Sequence, residues 1–336
     1  MDMNNFFNEI ISDNKKFALP ILSFPAMQKL GVSVKEMISS SELQANAMEI
    51  VAHSTNTIAV VSLMDLSLEA EAFGANVVFG ENEVPAITGQ LICTDEDAKA
   101  LQVPSLSAGR IQTAIEAIKL SKEKIKDKPV FAGIIGPFSL AGRLMDVTEI
   151  MYTCYDEPET VHEVLEKATK FLINYSLAFK EAGADGIIMA EPLCGLLNAD
   201  MAEEFSCFYV KKIIDAVQTT DFAVVYHNCG NSVSQIAHLF YSMGASAYHY
   251  GNAVDMLKML QKAPSDAILM GNIDPVANFK DATPSQMQKD TISLLEKCKN
   301  YKNFILSSGC DIPHTASWDN INAFFNALDK FNGENA

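Results

Sequence analysis

The chain has 336 residues, of which 49% are hydrophobic and 20% are charged, so it can bury a large core. Its formal net charge is -17 at pH 7, and Arg110 and Arg143 are its only arginines. A phosphate backbone would find no basic stripe on such a chain, which excludes nucleic acid as an expected partner.

The chain also lacks the segments that direct a protein to a membrane. No apolar run reaches the ~20 residues that cross a bilayer, and the acidic N-terminus MDMNNFFNEI has no basic region followed by an apolar one. We therefore expect a cytoplasmic protein with no membrane partner. Its seven cysteines are expected to be reduced thiols.

Eight short, nearly continuously apolar segments flanked by turn residues predict strands that are buried on both faces. They are residues 19–24, 58–62, 130–136, 186–190, 222–226, 246–250, 267–271 and 304–308. Between the second and third of them, residues 77–93 predict a hairpin.

Amphipathic helices are predicted between the strands. In residues 158–182 the apolar positions recur at i, i+3, i+4 and i+7, with Pro158 in the first turn and Gly183 at the end. Thr283, followed by a proline and a glutamine, predicts a capping box at the start of a helix over residues 284–300.

This alternation predicts the α/β class and a closed (β/α)8 TIM barrel. We expect one barrel domain over residues 1–336, with an N-terminal hairpin decoration. An open, doubly wound sheet is the alternative architecture.

Two stretches place metal-ligand residue types at strand ends: YHNCGN at 226–231 and SSGCDIP at 307–313. His227 and Cys229 are two residues apart, so they point to the same side, and Cys310 follows another strand. Barrel sites lie where strands end. An imidazole and two thiols suit zinc, and three protein ligands leave one position open for catalysis. The alternative is that the cysteines are small buried hydrophobes.

Four further polar residues follow or end predicted strands and are candidate pocket residues: Asp65, Glu191, His249 and Asp274. Glu191 is the candidate for a fourth zinc ligand, because a carboxylate oxygen is an acceptable one. Each acid could equally be a helix cap or a loop acid. The alternative for His249 is a hydrogen-bonded histidine of the core.

Five motifs together resemble the uroporphyrinogen decarboxylase superfamily: DLSLEAEAFGANVVFGENEVP, GPFSLAGRL, YHNCGN, GNIDP and SSGCDIP. The similarity covers nearly the whole chain and is greatest to the methyltransferase branch, the methylcobalamin:coenzyme M methyltransferases. This resemblance implies a (β/α)8 barrel whose zinc is held by His227, Cys229 and Cys310.

The resemblance also implies the reaction. The expected protein is a zinc-dependent methyltransferase that moves a methyl group from methylcobalamin, carried by a partner corrinoid protein, to a small thiol such as coenzyme M. Zinc would hold the thiol as its nucleophilic thiolate. Arg143, within GPFSLAGRL, is a candidate for binding the sulfonate of coenzyme M, and its alternative role is to neutralise Asp146.

Two other functions stay open. The decarboxylase branch of porphyrin biosynthesis grips its carboxylate-rich substrate with an arginine-rich motif after the first strand. The equivalent stretch here, LSFPAMQKLG, contains no arginine, and the negative net charge opposes such a substrate. A barrel that binds a ligand without turning it over is the third possibility.

Overall fold

A computed structural model describes residues 1–334. Its strands are β1 (Val60–Val61), β2 (Asn76–Val78), β3 (Ala86–Thr88), β4 (Val130–Ile135), β5 (Gly186–Ala190), β6 (Ala223–Asn228), β7 (Ala247–Tyr250), β8 (Leu269–Ile273) and β9 (Phe304–Ser308). Strands β1 and β4 to β9 form one parallel sheet in chain order, whereas β2 and β3 form an antiparallel hairpin. The order of this sheet never reverses along the chain, unlike that of a doubly wound sheet.

The helices before β4 are α1 (Met3–Ser12), α2 (Met27–Leu30), α3 (Val34–Ser39), α4 (Ser41–Ser54), α5 (Leu68–Phe73), α6 (Asp95–Ala100) and α7 (Ile111–Lys124). After β4 come α8 (Pro137–Met145), α9 (Val147–Asp156), α10 (Pro158–Glu181), α11 (Ala199–Ala202), α12 (Phe208–Val217), α13 (Val233–Tyr241), α14 (Met256–Lys262), α15 (Pro284–Cys298) and α16 (Trp318–Glu334). None of the helices within residues 1–334 is long and apolar enough to cross a bilayer.

The two helices predicted in detail are α10 and α15. Gly183 follows the end of α10 with a φ of 99°, the left-handed conformation that glycine favours. Thr283 caps α15, because its side chain accepts a hydrogen bond from the backbone N–H of Gln286. Sequence spacing and end residues therefore predicted both helices, but the predicted capping box was wrong in one half, because the side chain of Gln286 donates to Asp290 at 2.7 Å.

Residues 17–22 fill the eighth position of the ring, between β9 and β1. The N–H of Leu19 donates to the carbonyl of Leu306 at 2.9 Å, and the N–H of Ile58 donates to that of Ala18 at 3.0 Å. The parallel sheet is thereby closed into the predicted (β/α)8 barrel.

The prediction of a regular strand over residues 19–24 was wrong. Pro20 has no N–H to donate, so a continuous ladder cannot form there. The N–H of Ile21 instead donates to the hydroxyl of Ser308 at 3.1 Å. An extended segment with a single bridge, between Ala18 and Leu306, stands where the sequence predicted a strand.

The barrel interior changes from apolar to polar along its axis. Alternate strand residues, among them Val225, Ala247 and Ile305, form an internal apolar cluster with Phe7 and its neighbours in α1. Helix α1 thus closes the amino-terminal end of the barrel. Continuing the same alternation towards the carboxyl-terminal ends brings polar residues inward, because side chains i and i+2 share a face.

The hairpin β2–β3 lies on the carboxyl-terminal side of the barrel, because it follows β1 before α7 returns to the start of β4. Its turn is tied to α3 by a 3.1 Å hydrogen bond from the N–H of Lys35 to the carbonyl of Glu81. Three apolar side chains of the hairpin are 41–52% exposed: Val78, Phe79 and Val84.

Candidate metal centre

The structure brings His227, Cys229 and Cys310 together at the carboxyl-terminal face. His227 lies on β6 with the inward alternation of Val225, Cys229 follows the end of that strand, and Cys310 follows β9. Their ligand atoms all lie within 4.8 Å of one another. Nε2 of His227 is 3.6 Å from the sulfur of Cys310.

The burial of the three residues is graded. His227 is only 1% exposed, whereas both cysteines are partly accessible to solvent. A cation bound by these residues would therefore contact one buried imidazole and two thiols that solvent can reach.

The two thiols share a hydrogen bond. It lowers the pKa of Cys229 to about 7, against the opposing effect of burial. The same hydrogen bond, together with burial, raises the pKa of Cys310 to about 12. Near neutral pH the pair can therefore lose the Cys229 proton while Cys310 keeps its own, and metal binding displaces protons from such groups.

The glycine beside each cysteine permits close approach of two loops. A Cβ on Gly230 would lie 2.7 Å from the Cα of Gly195 in the loop after β5. A Cβ on Gly309 would lie 2.6 Å from the backbone nitrogen of Asn252 in the loop after β7. Larger residues at either position would separate these loops, which is why glycine accompanies the cysteines in the sequence.

Asn228 faces away from the barrel interior and fixes the loop that carries Cys229. Its side-chain N–H donates to the carbonyl of Glu191 at 2.8 Å, and its side-chain oxygen accepts from the N–H of Gly230 at 2.9 Å. The loop after β6 is thereby anchored to the loop after β5.

His249 contacts His227 directly. The two residues are paired in the register of β6 and β7, so both side chains point inward. Their Nδ1 atoms are 2.7 Å apart, and Nε2 of His249 is 2.8 Å from the hydroxyl of Ser307. Burial, with a further contribution from His227, lowers the pKa of His249 well below its ordinary value.

Glu191 is fully buried, and its carboxylate is directed at the start of α8. It accepts hydrogen bonds from the N–H of Phe138 at 3.0 Å and from both the N–H and the hydroxyl of Ser139. Burial raises the pKa of Glu191 to about 7, opposed by these hydrogen bonds. Its oxygens are not part of the ligand cluster found among residues 1–334.

Asp274 ties two loops of the carboxyl-terminal face together. One carboxylate oxygen accepts from the N–H groups of Val276 and Ala277, both at 2.8 Å. The other accepts from the side chain of Asn252 at 2.6 Å. Asp274 therefore stabilises loops, which was the alternative to a role as a pocket residue.

Asp65 is held in an ion-pair network after β1. Arg110 donates to the carboxylates of Asp65 and Glu71 and to the hydroxyl of Ser67. The side chain of Asp65 is 1% exposed, so its charge is compensated locally.

Arg143 is half-buried on α8. Burial lowers the pKa of its guanidinium, opposed by the charges of Glu69 and Asp65. Within residues 1–334 no ion pair joins it to Asp146, which instead caps α9. No hydrogen bond to its guanidinium is found in that part of the chain either, so its donors are available to an anion.

Sequence reasoning missed three polar groups near these candidates. Ser307 supports His249, Arg110 pairs with Asp65, and Glu69 is a buried acid whose Oε2 has no hydrogen-bond partner in the described chain. Ser307 had a usable signal, since it follows Ile305 by two residues and shares its inward face. Arg110 had none, because its partners lie far away in sequence.

The fold and site together define a (β/α)8 barrel with a cluster of potential metal ligands at the carboxyl ends of its strands. The family model for uroporphyrinogen decarboxylase (URO-D) matches residues 18–331. The chain therefore belongs to the uroporphyrinogen decarboxylase family.

Relatives of both branches are found. The chain is 30% identical over 276 residues to the methylcobamide:CoM methyltransferase MtbA of Methanosarcina acetivorans, covering 80% of this chain and 79% of that protein. It is 23% identical over 283 residues to the uroporphyrinogen decarboxylase of Psychromonas ingrahamii, covering 80% and 78%. A solved methyltransferase from Methanosarcina mazei shares the fold, with a TM-score of 0.87, 24% identity and 97% coverage of both chains. The names of the methyltransferase relatives support methyl transfer as the activity of this chain.

Proposed function

We propose that this protein is a zinc-dependent methyltransferase that moves a methyl group from a corrinoid protein to a small thiol such as coenzyme M. The observation that carries the proposal is the cluster of one imidazole and two thiols within 4.8 Å at the carboxyl-terminal face. The names of the methyltransferase relatives agree with it.

The donor set fits zinc. Nitrogen and sulfur are the ligands that zinc prefers, and structural zinc sites have four protein ligands whereas catalytic sites have three. Only His227, Cys229 and Cys310 form such a group among residues 1–334. Two thiolates with a neutral imidazole would balance the charge of the dication, so an added substrate thiolate would make the centre anionic.

When bound, zinc would lower the pKa of a thiol that occupies its open position. The chain's own residues supply the setting. His227 is the buried neutral donor, and the loops after β6 and β9 present the two sulfurs to solvent. The acceptor thiol can therefore enter from the carboxyl-terminal face without disturbing the core.

Arg143 is the proposed contact for the acidic group of the acceptor. Coenzyme M carries a sulfonate, and an arginine presents several N–H donors in a fixed planar arrangement. Arg110 is already paired with Asp65 and Glu71, whereas Arg143 has no hydrogen bond in the described part of the chain. Its availability supports this assignment.

The methyl donor is proposed to arrive on a separate corrinoid protein, because a corrinoid is too large for the closed barrel interior. The partner would dock on the carboxyl-terminal face, near the loops of Cys229 and Cys310 and the segment 77–93. The exposed apolar side chains of the hairpin support this position.

A decarboxylase of porphyrin biosynthesis is the second candidate, favoured by the relatives of that name. The arrangement of charge opposes it. Arg110 is already paired with Asp65 and Glu71, so Arg143 is the one arginine left for a substrate with many carboxylates. Conversion of uroporphyrinogen III to coproporphyrinogen by the purified protein would establish this candidate instead.

Metal analysis tests the proposal. We expect about one zinc per chain after expression with zinc, and its loss from Cys229→Ala and Cys310→Ala. The matched control is Cys298→Ala, which removes a buried thiol on α15 outside the cluster and should keep its zinc. Full retention of zinc in both ligand variants would contradict the proposed centre.

A further inference from the structure

Three consecutive hydrogen bonds lead from the candidate metal centre to the backbone of the segment that closes the barrel. Nδ1 of His227 is 2.7 Å from Nδ1 of His249, and Nε2 of His249 is 2.8 Å from the hydroxyl of Ser307. That hydroxyl is 2.6 Å from the carbonyl oxygen of Leu19. The side chains of all three polar residues are buried, at 0–1% exposure.

The carbonyl at the far end sets the direction of the chain of hydrogen bonds. A carbonyl oxygen can only accept, so Ser307 must use its single proton on Leu19. At 2.8 Å its oxygen is then the acceptor for His249. Nε2 of His249 therefore carries a proton.

A second carbonyl agrees with this direction at the near end. Nδ1 of His227 is 3.3 Å from the backbone oxygen of His249, which again can only accept. This contact is longer than the one between the two Nδ1 atoms, so a proton on Nδ1 of His227 is donated mainly to the side chain of His249. Since the two Nδ1 atoms are only 2.7 Å apart, Nδ1 of His249 must be the unprotonated acceptor.

The two directions agree on one assignment. His249 is the neutral tautomer with its proton on Nε2, and His227 has its proton on Nδ1. Nε2 of His227 is then left with a free lone pair, on the side where the sulfur of Cys310 lies 3.6 Å away. A metal ion needs this nitrogen unprotonated.

We propose that His249 is a positioning residue which, held by Ser307 and the carbonyl of Leu19, fixes His227 as the Nδ1–H tautomer with Nε2 directed at the metal position. The inference rests on the proposed zinc centre and adds the residues that orient its most buried ligand. Partners of this kind fix the orientation of a metal-binding histidine, and their loss weakens metal binding about 10- to 100-fold.

The first measurement reads the tautomer without metal. Nitrogen NMR of the metal-free, histidine-labelled wild-type protein should show His227 protonated on Nδ1 and bare on Nε2, and His249 the reverse. In His249→Phe, which keeps a ring but removes both nitrogens, His227 should lose this single tautomer. Finding His227 of the wild type protonated on Nε2 would overturn the inference.

The second measurement is zinc affinity by competition with a chromophoric chelator. We expect His249→Phe to bind zinc about 10- to 100-fold more weakly. His249→Asn should recover much of the affinity, because its side-chain oxygen can replace Nδ1 as the acceptor. Ser307→Ala should fall between them, since it frees the proton on Nε2 of His249 but leaves the ring in place.

Ser308→Ala is the matched control. This neighbouring serine is equally buried and also bonds the closing segment, through Ile21, but its side chain is outside the three hydrogen bonds. It should keep wild-type zinc affinity. Zinc affinity of His249→Phe within about twofold of the wild type, well below the expected loss, would overturn the inference.

The outcomes separate this inference from the proposed function. If the wild type binds no zinc, the proposed function fails, and the NMR measurement on metal-free protein still decides the tautomer. If the wild type binds zinc and the His249 and Ser307 variants bind it with equal affinity, the proposed function stands and the positioning role does not.

Discussion

Two buried glutamates near the site differ in what surrounds their carboxylates. Burial raises the pKa of each to about 7. Glu191 receives hydrogen bonds on both oxygens from the start of α8. Glu69 receives one on Oε1 from the N–H of Ile135 at 3.0 Å, and its Oε2 has no hydrogen-bond partner in the described chain.

Glu69→Gln should therefore change the pH dependence of stability. The pKa of Glu69 is raised from 4.5 to about 7 on folding, so the native state holds its proton more tightly than the unfolded state does. Stability from this group is present at low pH and is lost as the pH rises towards about 7. The variant should become more stable relative to the wild type across that window, by up to about 3 kcal/mol.

Urea denaturation of both proteins from about pH 5 to about pH 8 measures this difference. Glu191→Gln is the comparison. Its amide N–H₂ would meet the donors of Phe138 and Ser139, so it should cost about 1–3 kcal/mol at the lower end of the range. This cost should shrink as the pH rises, because the pKa of Glu191 is also raised to about 7. A stability difference between Glu69→Gln and the wild type that stays flat with pH would contradict the assignment.

Individual site residues could be predicted from the sequence when the residues that act together lie close in the chain or follow recognisable strands. His227 and Cys229 could be chosen because two ligand types share one strand end, and Cys310 because it follows another strand beside a glycine. The Arg110 network could not be found this way, because Asp65 lies 45 positions and Glu71 39 positions from that arginine. Only the barrel fold brings them together.

At the scale of elements, helix α1 closes the amino-terminal end of the barrel, opposite the candidate metal centre. Met3, Phe7 and Ile10 pack into the internal apolar cluster, and the N–H of Met3 donates to the carbonyl of Thr220 at 2.7 Å. The helix should therefore contribute to stability and not to metal binding.

Phe7→Ala tests this division of roles. Removing a buried aromatic ring should lower the free energy of unfolding by about 3–5 kcal/mol, with zinc content per folded chain unchanged. Phe6→Ala, at a partly buried neighbour, should cost roughly 1 kcal/mol. Denaturation and metal analysis of the same samples give both quantities, and zinc loss from folded Phe7→Ala protein would contradict the separation.

Elements were predictable where local chemistry decided them. The α10 and α15 helices follow from apolar spacing and end residues, and the seven regular strands of the parallel sheet lie close to predicted segments. The closing segment was misjudged because Pro20 interrupts its hydrogen bonding. The role of α1 was not predicted, because the sequence of a ten-residue helix does not show that it packs against the end of a barrel.

At the scale of the whole molecule, the proposed reaction requires a second protein to reach the carboxyl-terminal face. Val84→Asp on the hairpin should weaken binding of a corrinoid protein about tenfold or more, because it places a charge in an apolar contact. Leu177→Asp is the control, since Leu177 is 37% exposed near the end of α10, towards the amino-terminal face. Binding assays measure the effect, and crosslinks confined to the amino-terminal face would contradict the docking position.

The most direct test of the central claim is the absorbance of methylcobalamin incubated with zinc-loaded protein and coenzyme M. We predict that the methylcobalamin spectrum disappears as the thiol sulfur takes the methyl group, giving a thioether and cob(I)alamin. His227→Ala should not support this change, whereas Cys298→Ala should. An unchanged spectrum with fully zinc-loaded wild-type protein, for coenzyme M and for a panel of other small thiols, would contradict the account.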